Sequence, residues 1–201
     1  MQTPERPGRD SLRNRLIDAA ERRIAEKGLA GLKAREVTAD AGCALGALYN
    51  AFDDLDDLIL HVNARTLDRL AAAFEGARRG GETAEETMTV LAQAYVRFAL
   101  GNRTLWSAVF ALALPDGRPA PDWYVARYKA LIDQIVGPLS TLRPDLPPDE
   151  LQLRARTLFA AVHGVVRLFT EARFLAAPQD RIAPEVTALV KAMTRGLAAG
   201  E

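Results

Sequence analysis

In the stretch Ala41-Gly42-Cys43-Ala44-Leu45-Gly46-Ala47-Leu48-Tyr49-Asn50-Ala51-Phe52, one glycine parts two short segments of helical character with almost no linker between them. The first segment runs from Arg35 to Ala41 and the second from Ala44 to Ala51. Glycine is the residue that takes a left-handed corner without steric cost, so Gly42 predicts a tight turn between two helices. Upstream, Leu12, Leu16, Ile17, Ala20 and Ile24 recur at helical spacing behind the cap candidates Asp10 and Ser11, and Gly28 supplies a stop. Downstream, Asp53 and Asp54 stand where an N-cap belongs, and Leu55, Leu58, Ile59, Val62, Leu70 and Phe74 carry a long fourth helix towards Gly76. Two short helices braced by a preceding long one have the shape of a helix-turn-helix, whose second helix enters the DNA major groove.

Beyond Arg78-Arg79-Gly80-Gly81, the best candidate joint, Thr83 and Glu86 form a capping box for a helix through Phe98. Further helices are expected over Arg103 to Leu114 (closed by Pro115-Asp116-Gly117), Asp122 to Leu139, Asp149 to Phe174 and Pro184 to Leu197. No segment has the two-residue period of a strand. The expectation is an all-α protein of about nine helices. It divides into a flexible basic arm (1–9), a three-helix DNA-binding head (10–53), a linking helix (54–79) and a C-terminal helical ligand-binding and dimerisation domain (80–201).

A chain of 201 residues, 49% of them hydrophobic, can bury a substantial core. No apolar run approaches a bilayer span and the N-terminus has no secretory core, so a cytoplasmic location without membrane attachment is expected. Cys43 is the single cysteine and only His61 and His163 could join it, which argues against a disulfide or a metal site; no cofactor is expected. The formal net charge is zero, so the distribution of charge carries the information. Residues 1–30 hold the cations Arg6, Arg9, Arg13, Arg15, Arg22, Arg23 and Lys27 against the acids Glu5, Asp10, Asp18, Glu21 and Glu26. Residues 31–60 hold only Lys33 and Arg35 against Glu36, Asp40, Asp53, Asp54, Asp56 and Asp57.

The run from Ala41 to Phe52, with acids and Leu58 after it, closely resembles the head of the TetR family of transcriptional regulators. There an Ala-Gly turn, a small recognition helix ending in Leu-Tyr, an aromatic residue and a fourth helix recur in this order. The resemblance implies that Val37, Ala41, Cys43, Leu48 and Phe52 pack the head. It implies also that Ala44, Leu45, Gly46, Ala47 and Asn50 face base edges, where Asn reads adenine and Leu or Ala touches thymine methyl groups, while Tyr49 meets phosphate. The chain departs from the family at Lys33, where Ser or Thr usually caps the second helix, at Thr38, usually Ala, and at Leu55, usually Lys. Lys33 and Arg35 are the expected phosphate contacts in place of those devices, and the arm cations Arg6, Arg9, Arg13 and Arg15 are expected to supplement them in the minor groove or on the backbone. The predicted partner is a double-stranded DNA operator.

The body concentrates aromatic residues. Tyr95, Phe98, Trp106, Phe110, Trp123, Tyr124, Tyr128 and His163 are the candidates for an apolar pocket with a few polar groups, the chemistry of a small-molecule effector site. His163 also fits a purely structural hydrogen bond to a neighbouring helix. Leu158-Phe159-Ala160-Ala161-Val162-His163-Gly164 and Tyr95-Val96-Arg97-Phe98-Ala99 resemble one group of TetR C-terminal domains marked by Trp, His and Gly. Ala160, Ala161, Gly164 and Leu168, with Val186, Leu189, Val190 and Met193, are the expected homodimer interface, as the family's last two long helices imply. Catalysis finds little footing. Ser11, Ser107 and Ser140 are the only serines, no glycine-rich phosphate loop occurs, and the acids at 53–57 already serve as cap and dipole partners. The expectation is a repressor released from its operator by a small apolar or aromatic molecule. The alternative is a ligand sensor of the same fold that has lost operator recognition.

Overall fold

The Ala- and Leu-rich periodicity is realised as helix throughout. The computed structural model describes residues 7–114, 117–170 and 178–199, and no strand occurs among them. In chain order the helices are α1 (Pro7–Lys27), α2 (Ala34–Asp40), α3 (Leu45–Ala51), α4 (Leu55–Ala77), α5 (Ala84–Gly101), α6 (Arg103–Ala111), α7 (Asp122–Leu142), α8 (Pro148–Thr170) and α9 (Gln179–Ala199), with a 3-10 turn at Leu29–Gly31.

Their contacts divide the chain into two units, Met1–Leu67 with Asn102–Tyr124, and Asp68–Gly101 with Val125–Glu201. In the first, Leu16, Ala20 and Ile24 of α1 meet Val37 of α2, Leu48 of α3 and Leu58 and Val62 of α4 in one apolar core. Leu105 and Ala108 of α6 complete it. The head is therefore discontinuous in sequence, which corrects the expected boundaries: α6 and the segment up to Tyr124 lie beyond the Gly80-Gly81 joint yet return to the head. The physical reason is that the three-helix head leaves an apolar flank on α1, and α6 covers it. Asn63, fully buried on α4, donates from Nδ2 to the Ala108 carbonyl at 3.2 Å and fixes α6 there.

The second unit packs α5 against α9 and α8, with Met88, Leu91, Ala92, Tyr95 and Ala99 forming the inward stripe of α5. The expected capping box is present. Glu86 N donates to Thr83 Oγ1 at 3.2 Å, and Thr83 N donates to Glu86 Oε2 at 2.8 Å.

Several ends differ from expectation. Helix α1 starts at Pro7 rather than after an arm of nine residues, since proline is favoured in the first helical turn; residues 1–6 lie outside the described residues. Helix α9 starts a turn before Pro184, and buried Ile182 anchors that turn although the proline removes one backbone bond. Helix α7 likewise runs through buried Pro138. Residues 171–177, to which the expected end of α8 at Phe174 belongs, lie outside the described residues, as do Pro115 and Asp116.

Candidate functional site

Gly42 sits at φ +66°, and a Cβ there would meet nothing within 4 Å. The backbone conformation rather than crowding thus demands glycine. Gly42 N donates to Ala39 O at 3.1 Å and Cys43 N to Thr38 O at 3.0 Å, the paired bonds of a Schellman stop that ends α2 and aims α3. Neither α2 nor α3 receives a side-chain cap, because Lys33 and Ala44 occupy their N-cap positions. Their placement rests on packing instead: Val37, Ala41, Leu48 and Phe52 are buried, and half-buried Cys43 packs against them.

The opposite face is open. Ala44, Leu45, Gly46, Tyr49 and Asn50 are exposed and Ala47 half-buried, with Tyr49 52% accessible, and Lys33 and Arg35 of α2 are exposed as well. An apolar and hydroxyl-bearing surface of this kind suits thymine methyl groups and phosphate oxygens.

The acids of residues 31–60 are largely spoken for. Arg23 of α1 forks onto both Asp40 oxygens at 2.6 and 2.9 Å and also pairs with Glu36. That hydrogen bond from Arg23 holds the Asp40 carboxyl below the ordinary carboxylate range, against a smaller opposing effect of desolvation. Asp54 caps α4, accepting from Asp57 N at 2.7 Å, and pairs with Arg118 at 3.1 Å. Asp57 in turn accepts from Asp53 N at 3.3 Å. Glu36, Asp40, Asp54 and Asp57 are thus engaged by cations and caps, two of those cations lying outside residues 31–60.

Arg13, expected on the DNA side, turns inward. It donates to the Ala51 carbonyl and to His61 Nε2, the latter at 2.5 Å, and lies 4.4 Å above the Phe52 ring.

The eight candidate effector residues are divided between the two units. Trp106 and Phe110 pair on α6, and Trp123 and Tyr124 open α7; all four belong to the first unit. Helix α6 and the start of α7 are recruited to the head, which sequence spacing does not reveal. In the second unit Tyr95 is buried and its hydroxyl lies 2.7 Å from His163 Nδ1; His163 stacks on Phe159. Tyr128 meets Phe159 edge to face, and burial raises its phenol above the ordinary value. Phe98 is half-buried.

A cavity of about 40 Å³ does occur in this unit. Of the eight candidates Tyr95 lines it. The remaining wall was not foreseen: Phe74 from α4, Met88, Leu91 and Ala92 from α5, Ile135 from α7, Leu158, Phe159 and Val162 from α8, and Val190, Met193 and Thr194 from α9. The spacing 88, 91, 92, 95 on α5 and 190, 193, 194 on α9 is that of inward helix stripes, the signal that could have found them. Apolar cavities that admit benzene measure roughly 150 Å³, so a ligand of that size requires side chains to move; the thioethers of Met88 and Met193 are the compliant ones.

Val186 and Val190, expected at a dimer interface, are buried in the chain's own core, which corrects that assignment: they pack inward from α9 and offer no surface to a partner. Ala161, Gly164, Leu189 and Met193 are half-buried, Ala160 is exposed, and Leu168 is 54% exposed. Leu153, near the start of α8, is 63% accessible.

An exposed second helix of a helix-turn-helix, together with a helical unit that encloses an apolar cavity, defines a class of DNA-binding transcriptional regulators with a ligand-binding body. Comparison with known proteins agrees. Residues 16–62 match the profile of bacterial regulatory proteins of the tetR family, and residues 88–195 match the tetracyclin repressor-like C-terminal domain. The chain belongs to the TetR family. It is similar over 93% of its length to a protein of unknown function from Rhodococcus sp. RHA1 (30% identity, 95% of that chain, TM-score 0.72). FadR from Bacillus subtilis, solved with stearoyl-CoA, shares the fold (17% identity, 88% of this chain and 96% of that one, TM-score 0.68). An HTH-type transcriptional regulator of Staphylococcus aureus (strain bovine RF122 / ET3-1) is 25% identical over 99 residues, 49% of this chain and 54% of its own length, so the match spans about half of that relative. None of the described helices is long and apolar enough to cross a membrane.

Proposed function

We propose that the protein is a dimeric repressor that a small apolar molecule releases from its operator. The observation that carries this reading is the cavity walled by apolar side chains of α4, α5, α7, α8 and α9. Its lining supplies no charged group, so the effector portion it takes is uncharged and largely hydrocarbon. FadR with its acyl thioester supports the same expectation for the fold. A ligand that fits one conformation better than the other lowers DNA affinity by the factor by which DNA lowers its own binding. Helix α4 is the natural lever, because its residues up to Leu67 belong to one unit and those from Asp68 to the other. The exposed α8 stripe of Leu153, Ala160 and Leu168 supports pairing with a second copy, since exposed leucines at helical spacing gain by mutual burial.

Fluorescence anisotropy on DNA from the gene's own upstream region, with nonspecific competitor, tests the reading. Saturable binding that survives competitor and is lost on adding an uncharged apolar compound is expected. Binding of the compound without any change in DNA affinity refutes the release mechanism. Absence of sequence preference at every salt concentration favours instead the sensor that has lost its operator, a reading to which the cation-free α3 lends weight.

A further inference from the structure

Helix α3 has only seven residues and no side-chain N-cap, so it cannot hold its own pose. Its C-terminal carbonyls have no partner within the helix. One of them, that of Ala51, receives Arg13 from α1. The same guanidinium donates to His61 Nε2 on α4 at 2.5 Å, and its central carbon lies 4.4 Å from the centroid of the Phe52 ring, the C-cap of α3. His61 is sandwiched in turn: the Trp123 indole stacks on it at 4.5 Å with 15° between planes, and Phe52 meets it edge-on at 5.5 Å. Asp57 Oδ1 lies 3.7 Å from the same His61 Nε2. Ala51, Arg13, His61 and Trp123 thus form a continuous column from the end of the DNA-reading helix to the first turn of α7.

We infer that Arg13 is a positioning residue for DNA recognition and that Trp123, acting through His61, holds Arg13 in place. The inference rests on α3 being the helix that reads DNA. Arginine is required because one fork must donate to a carbonyl and to an imidazole while its charge stays over a phenyl ring; lysine, a point donor on a flexible stem, cannot do all three. Since Nε2 accepts, the neutral ring carries its proton on Nδ1. The indole fixes the plane of that ring, and therefore the direction of the lone pair that Arg13 uses.

The experiment combines DNA anisotropy with hydrogen exchange of residues 45–52 in the free full-length protein, for Arg13→Lys, Arg13→Gln, Trp123→Leu and the double variant Arg13→Lys/Trp123→Leu. Affinity for the upstream DNA should fall about tenfold in each single variant, while affinity for competitor DNA stays at the wild-type level. The double variant should be no worse than Arg13→Lys alone, because both act through one column. Exchange at 45–52 should accelerate in all of them at unchanged melting temperature. Retained charge in Arg13→Lys should bring no rescue. A salt slope reduced by about 0.9 in Arg13→Gln overturns the inference by making Arg13 a phosphate contact. Unaltered exchange in Trp123→Leu overturns it also, and does so without DNA; if the wild-type protein shows no sequence preference while exchange still accelerates, the DNA reading fails and the column stands.

Discussion

Leu48 and Tyr49 are neighbours in sequence, and the structure assigns them opposite fates. Leu48 is fully buried between α1, α2 and α4, whereas Tyr49 is 52% exposed on the other face of α3. Truncating Leu48 to alanine removes three buried carbons and leaves a hole in a close-packed core, at a cost of about 2–5 kcal/mol. For a chain of this size each kcal/mol lowers the melting temperature by roughly 2–4 °C, so a fall of about 4–20 °C is expected. Tyr49→Ala should leave stability within about 0.5 kcal/mol. It should instead weaken DNA binding by one neutral hydrogen bond, about 0.5–1.5 kcal/mol or roughly 2- to 13-fold, with no change in salt slope because no counterion is released. Differential scanning fluorimetry and anisotropy at several salt concentrations separate the two. A Leu48→Ala protein that melts like wild type, or a Tyr49→Ala protein that loses stability while keeping its DNA affinity, refutes the assignment of faces.

Arg35→Ala and Lys33→Ala should each reduce the slope of log affinity against log salt by about 0.9 if both meet phosphate, as measured by anisotropy titrations. If the α8 stripe pairs two copies as proposed, wild type should elute as a dimer and Leu168→Glu as a monomer in size-exclusion chromatography with light scattering, with the variant still folded by circular dichroism. Because Arg23 depresses the folded pKa of Asp40, their pairing stabilises the head above the ordinary carboxylate pKa of about 3.9 and is lost as the pH falls through the lowered value. Thermal melts from pH 7 to pH 2 should therefore show Arg23→Met below wild type at neutral pH, with the gap closing in the acid limb. Ala92→Phe, which fills the cavity from α5, should abolish release by apolar compounds while leaving DNA affinity unchanged in the same anisotropy assay.

The head was legible because its signals are local. Gly42 requires a left-handed corner, Asp54 is a cap, and Leu16, Ala20 and Ile24 repeat at helical spacing; each is decided within a few residues. The destinations of Trp106, Phe110, Trp123 and Tyr124 were not legible. Aromatic residues past a glycine joint look like one cluster, and only tertiary packing reveals that α6 lies against α1. The apolar stripes on α5 and α9 could be read, but not the hole left where they meet Phe159 and Ile135. Arg13 illustrates the same limit for charge: counting placed it with the basic arm, and geometry gives it the Ala51 carbonyl and an imidazole.

The return of α6 to the first unit bears on how such a protein can be cut and recombined. A fragment ending at the Gly80-Gly81 joint would keep α1 to α4 but strip Leu105 and Ala108 from the apolar core and leave the Asn63 amide without the Ala108 carbonyl. Grafting residues 1–79 onto another body would transplant an incomplete reader with a bare hydrophobic flank. A working chimaera has to carry residues 102–124 as well, so the DNA-reading part of this chain is inherited as two interleaved pieces and not as a detachable cassette.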